Sequence, residues 1–269
     1  MTDQTLKTHS EDTAMLHEPG ATGGAAPWFA VFKRELALYF RSPIAYGIGF
    51  AVFMILGVLF NAYLASANGQ ATADQIPSMP GLITFLMFLI APLITMRLLA
   101  EESREGTLEV LMTLPMNESQ FIVGKFLAAW AYYTVLILLS LIYHIILSSI
   151  GIPDQGIAFG TYLGAWLYGG AVLAIALIWS AITEDQIVAA FLGAGTILVL
   201  YLAEAAAEVF ARTNSALGDF VRELGLRSHY EATMAVGIIR AEDVLYFLLV
   251  IVGALFITTR IVETRRWRA

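Results

Sequence analysis

The chain contains no cysteine, which removes a disulfide framework, a thiolate metal centre and a cysteine nucleophile together. Charge is scarce as well. Asp, Glu, Lys and Arg make up 14% of the 269 residues, against about 25% in an ordinary soluble domain. Two stretches, 66–79 and 151–159, hold no Lys or Arg at all. A phosphate-binding G-x-x-x-x-G-K-[ST] is missing: Gly124-Lys125 has Ser119 where the first glycine belongs and Phe126 where the hydroxyl belongs. H-E-x-x-H and G-x-S-x-G are absent too. These absences argue against a nucleotide site, a zinc-peptidase centre and a serine-hydrolase elbow in this chain. No metal site is expected, and nothing in the chain points to nucleic acid.

What is present is apolar surface. Hydrophobic residues reach 58% and the mean hydropathy is +0.73, too much for the core of one soluble domain of this length. Six runs, about 44–65, 80–99, 122–150, 160–182, 186–204 and 243–260, are long enough to cross a hydrocarbon layer of about 30 Å. The expected fold is therefore an all-α integral membrane protein with six transmembrane helices. The fourth and fifth runs are separated only by Thr183-Glu184-Asp185, a tight helical hairpin. Glu204 and Glu208 interrupt the far end of the fifth.

Residues 1–26 are polar and rich in Gly, Ala and Thr, and read as a disordered cytoplasmic tail. Over 27–42, Trp28, Phe29, Phe32, Leu36, Tyr39 and Phe40 fall within about a third of a helical wheel. Arg34 lies opposite, and Lys33 and Glu35 flank the apolar arc. The pattern predicts an amphipathic interfacial helix against membrane lipid, ended by Pro43.

Lys and Arg concentrate before the first run, after the second and at the C-terminus. With an even number of spans, this puts both termini on the cytoplasmic side of a cell (inner) membrane. The segment 205–242 is then external, and within it His229 to Arg240 shows a helical pattern running into the last span. Small residues in the fourth run (Gly164, Gly169, Gly170) and in the fifth suit close helix packing.

The loop 97–121 carries the functional argument. The second span continues past the bilayer through Glu101 and Glu102, and Gly106 supplies a stop. Thr107 can cap a short helix over 108–114 with Leu108, Leu111 and Met112 on one face, closed by Pro115. Asn117 with Gln120, and Met116 with Phe121, form a further start signal. Seven residues are too few for a stable free helix, so an apolar face below the membrane, ringed by Glu101, Glu102, Arg104 and Glu109, suits docking to a cytoplasmic partner.

The residues Phe32-Lys33-Arg34-Glu35-Leu36, Ser42-Pro43, Thr95 to Glu102, Gly106-Thr107-Leu108-Glu109-Val110-Leu111, Gly124-Lys125-Phe126, Ile182 to Gln186 and Arg265-Arg266-Trp267 give the chain a resemblance. It is similar to the type-2 ABC exporter permeases, in the gliding-motility-associated and nitrous-oxide-reductase-maturation branch. The resemblance runs from Lys33 to Arg268. It departs from the family in a longer N-terminal tail and in Asp185, where Asn is usual. The resemblance implies a transmembrane permease with no catalytic residues and no cofactor of its own. A separate ABC ATPase would bind ATP and Mg and grip a coupling helix through Glu101, Glu102, Arg104, Gly106, Thr107, Leu108, Glu109 and Leu111. A second permease copy or a paralogue would complete the unit, with room for an extracytoplasmic accessory protein.

Two other classes stay open: an ion-coupled secondary transporter and a non-transporting scaffold of an envelope complex. The first predicts matched polar features at mid-membrane. The candidates for such groups are His144, inside the third run, and Glu204 with Glu208. Their blander roles are a hydrogen-bonded core imidazole and hydrated interfacial carboxylates.

Overall fold

The computed structural model describes residues 26–66, 78–106 and 117–266. Nine helices are described: α1 (Pro27–Arg41), α2 (Pro43–Ser66), α3 (Ser78–Arg104), α4 (Glu118–Ile150), α5 (Gln155–Ile182), α6 (Gln186–Ala211), α7 (Ser215–Leu224), α8 (Ser228–Glu231) and α9 (Ala241–Arg266). A 3-10 turn at Met234–Val236 joins the last two. No strand occurs among the described residues. Six helices, α2 to α6 and α9, are long and apolar enough to cross a membrane. The protein is all-α and membrane-embedded, as the hydropathy pattern predicts.

The spans follow one another in alternating directions. One end of the bundle therefore carries α1, the 104–118 connection, the hairpin at 183–185 and the end of α9. The other end carries 66–78, 151–154 and 212–240. Local chemistry sets the corners. Ser42 alone separates α1 from α2, because Pro43 cannot continue a helix. Asp154 caps α5 by accepting from the Gly156 and Ile157 amides at 2.8 and 3.2 Å. Asp185 caps α6 in the same way through Ile187 and Val188.

The bundle is organised around α5, which packs against α3, α4, α6 and α9. Its glycines are the reason. A Cβ on Gly170 would sit 2.8 Å from the Trp130 ring, one on Gly164 2.6 Å from Met234, and Gly169 lies directly beneath Tyr133. Small residues bring the helix axes close enough for large partners to interlock. Several polar groups pair across the same seams, while the buried Tyr168 and Tyr230 hydroxyls have no hydrogen-bond partner among the described residues. Tyr133 donates to the Ala165 carbonyl at 2.9 Å, and the Ser180 hydroxyl accepts from the Leu99 and Ala100 amides while donating to Met96 O. By contrast α2, α6 and α9 leave most of their apolar surface uncovered.

Three expectations are corrected. Glu204 and Glu208 do not end the helix of the fifth run, since α6 continues to Ala211. His229 to Arg240 is not one helix. Gly237 takes φ +84° and its Cα lies against α5, so the chain dives into the bundle instead of coiling onward. Asn117 precedes α4 in extended conformation, but its side chain makes no capping bond. The first turn is held by backbone bonds to its carbonyl instead. A helix absent from the expectations, α7, has its own signal in Asn214, which accepts from Ala216 and Leu217. Residues 1–25, the loop 67–77, the coupling stretch 107–116 and Trp267 to Ala269 lie outside the described residues.

Candidate functional site

At the end of the bundle that holds α1, three helices converge on one buried ammonium. Lys125, on α4, has a side chain that is only 1% exposed. Its Nζ donates to Glu35 Oε1 of α1 at 3.1 Å and lies 2.9 Å from Glu102 Oε1 of α3. Arg34 Nη2 reaches the same two oxygens, at 2.8 Å to Glu35 and 2.7 Å to Glu102. Two cations thus face two carboxylates, a balance that a water-poor site requires. The Lys125 ammonium also lies 5.0 Å from the Phe121 ring centroid.

Helix register explains why these side chains meet. On α1, Val31, Glu35 and Tyr39 recur at i, i+4 and i+8, so they share one face. That face seats on α4 where Gly124 leaves room: a Cβ there would lie 2.7 Å from Trp28 O and 2.9 Å from Val31 Cβ. Tyr39 then donates to Ile94 O of α3 at 2.8 Å and stacks on Tyr132 of α4 with 5.2 Å between centroids. Burial on its own would raise the Glu35 pKa. The Lys125 ammonium and Arg34 guanidinium outweigh it and hold the carboxyl below its ordinary 4.5.

The sequence pattern assigns Glu35 to the flank of the apolar arc. The structure turns it inward, because a buried partner waits there. A charge on the stripe of a helix, and a lysine inside an apolar run, are each signs of a hidden partner. Which partner it is follows only from the packing. Of the other predicted α1 residues, Phe32 and Leu36 pack toward the core, while Trp28, Phe29 and Phe40 stay exposed. Lys33 lies 6.0 Å from the Phe29 ring.

Of the predicted coupling residues, Glu101, Glu102, Arg104 and Gly106 are described. Glu102 joins the charge network. Glu101 Oε2 lies 3.9 Å from Arg97 Nε, and Arg104 is exposed. Gly106 takes φ +68° just past the end of α3, the left-handed stop that glycine favours. Thr107, Leu108, Glu109 and Leu111 fall outside the described residues. An open cavity of about 540 Å³ lies between α1 and α3 beside the network, reaching Arg97 and Glu105.

A sequence model for ABC-2 family transporter proteins matches residues 61–218, more than half of the chain. The chain belongs to the ABC-2 transporter family. It is also similar to two proteins described as "Probable ABC transporter permease protein NosY". The one from Pseudomonas aeruginosa is 34% identical over 103 residues, 37% of each chain. The one from Stutzerimonas stutzeri is 38% identical over 79 residues, 28% of this chain and 29% of the relative. The chain thus aligns with 37% of the length of the first of these relatives and 29% of the second.

The opposite end of this ABC-2 family chain holds a second polar cluster. Arg227 pairs with Glu231 at 2.7 Å and Glu204 at 3.6 Å, and lies 5.0 Å from the Tyr201 ring. The Glu231 hydrogen bond, set against partial burial, raises the Arg227 pKa. His229 Nδ1 lies 2.9 Å from Asp243 Oδ1, and its ring stacks on Tyr246. Of the three predicted polar candidates, Glu204 sits here. Glu208 is exposed. His144 bonds through Nε2 to Gln155 Oε1 at 2.9 Å near the end of α4. The three do not converge.

Proposed function

We propose that this chain is the permease subunit of an ABC-type exporter, driven by ATP hydrolysis in a separate ATPase chain. Two copies, or this chain and a paralogue, form the translocation unit. Membership of the ABC-2 family and similarity to proteins described as ABC permeases support the class. The observation that carries the mechanism is the charge network that binds α1, α3 and α4 where the 104–118 connection leaves the bundle. The network ties α3 and α4, the helices that flank this connection, to each other and to α1, so that a force on one is passed to the others. In this reading α1 lies along the cytoplasmic face of the membrane and both termini are cytoplasmic. The 107–115 stretch seats in the ATPase, and closure of the ATPase pair shifts α3 and α4 as one body. This chain contributes positioning and mechanical transmission, and it makes or breaks no covalent bond.

The test is co-purification with the ATPase, followed by measurement of ATP hydrolysis in lipid vesicles. Thr107→Pro is expected to lower permease-dependent hydrolysis by tenfold or more (~1.4 kcal/mol) while leaving the melting temperature of the isolated permease unchanged. Wild-type hydrolysis in the Thr107→Pro complex, or a permease that never retains an ATPase, overturns the reading.

A further inference from the structure

We propose that His229 is a pH-sensitive latch, whose charged imidazolium fastens the corner between α7 and α8 to the first turns of α9. The corner closes a hairpin. α7 turns back along the end of α6, with Gly218 against Ala211 and Gly225 near Ala203. Asp243 and Tyr246, three residues apart on one face of α9, bond this corner to the last span. The Tyr246 hydroxyl donates to Leu224 O at 3.1 Å, and its ring stacks on His229 with 3.8 Å between centroids. His229 Nδ1 lies 2.9 Å from Asp243 Oδ1. Its Nε2 lies 3.3 Å from Glu223 O and 3.7 Å from Glu223 Oε2.

The oxygens that face the two ring nitrogens are all acceptors. A peptide carbonyl has no hydrogen to give, and neither has an ionised carboxylate. A neutral imidazole would turn a lone pair on one of them, whereas an imidazolium donates to both. Burial adds to the preference. Asp243 keeps only 7% of its side chain exposed, and its Oδ2 is buried with no hydrogen-bond partner among the described residues. A carboxylate so enclosed calls for a cation beside it. The other charges nearby are engaged or turned outward. Arg227 of α8 pairs with Glu231 and with Glu204 of α6, and Arg222 of α7 lies beside Asp219. Arg240 and Glu242 are exposed, and α5 carries no charged residue. His144, at the same end, meets the Gln155 amide instead, a group that can present oxygen or nitrogen and tolerates either ring state. An imidazole ordinarily changes charge between about pH 5 and about pH 8. A bond made by the charged form is complete while the ring is protonated and is lost as pH rises through its titration. The corner then parts from α9 while α7 keeps its packing on α6. In the topology proposed above this end faces away from the cytoplasm, so the latch responds to external pH.

The latch is formed by this chain alone, so its test needs neither an ATPase nor a known sidedness and can fail independently of the function proposed above. Full-length Phe220→Cys/Leu249→Cys carries one spin label on α7 and one on α9, both at exposed positions. Label-to-label distances are measured in detergent by pulsed electron paramagnetic resonance at about pH 5.5 and about pH 8. A single short distance is expected in acid, with a longer, released population about tenfold larger at the higher pH. The corner opens below the temperature at which the bundle melts, so the distances read it and the melting temperature does not. His229→Gln removes the pH dependence, and His144→Gln keeps it. Glu223→Gln moves the transition to lower pH. Its side chain is 77% exposed, so it reads the latch even where His229→Gln fails to fold. The same distances at both pH values, a pH dependence that survives His229→Gln or is lost in His144→Gln, or an unmoved transition in Glu223→Gln overturns the proposal.

Discussion

An ammonium sealed among helices needs a carboxylate within reach, and Lys125 has two, one from each neighbouring helix. Removing the cation alone leaves two carboxylates to share Arg34. Lys125→Met is therefore expected to cost about 3–5 kcal/mol, read as a loss of unfolding free energy in detergent. The double variant Lys125→Met/Glu35→Leu leaves a balanced Arg34–Glu102 pair, and most of that loss should return. A cycle with no coupling between the two positions would show that the pair does not hold the helices. The pH dependence has a defined sign. Since the folded Glu35 pKa lies below its ordinary 4.5, its contribution is complete above that value and is lost as pH falls through the depressed one. Melting temperatures should stay flat from about pH 8 to about pH 5 and then decline in acid. In Glu35→Gln the acid-side decline should be shallower. Both carboxylates and the lysine are visible in the sequence, but their pairing is not, because Glu35 and Lys125 are 90 positions apart.

At the scale of elements, the glycines decide which helices touch. The small residues of the fourth run read from sequence as a packing surface, and α5 is indeed the helix on which the others converge. What the pattern does not carry is the identity of the partners, Trp130, Tyr133, Tyr230 and Met234. Gly164→Leu would drive a side chain into Met234 and Tyr230 and is expected to destabilise by about 1–3 kcal/mol. Gly253→Leu, with nothing within 4 Å of its Cβ position, should leave the melting temperature nearly unchanged. Equal effects at the two sites would count against the close-packed seam. The segment before the last span shows the limit of periodicity. Its apolar spacing suits a helix, yet Met234 and Gly237 are drawn against α5, and that contact overrides the local preference.

For the whole molecule, the absence of cysteine makes a direct topology measurement available. Single-cysteine variants at Arg104 and at the fully exposed Ile152 are expected to react with an impermeant thiol reagent from opposite sides of the membrane, Arg104→Cys from the cytoplasmic side. Labelling of Arg104→Cys from outside would remove the connection from any ATPase. Six spans and their order were determined by the sequence alone, because exclusion of charge from about 20 successive residues is a local property. The same holds for the stops at Pro43 and Gly106 and for the tight turn at 183–185, where one side chain or one backbone conformation sets the corner. Only the tertiary structure decided that α5 is central, that α7 and the 3-10 turn close the far end, and that Glu35 faces inward. Those outcomes rest on contacts between residues remote in the chain, where the fit of a glycine to a ring or an ammonium to two carboxylates exists only after the helices have met.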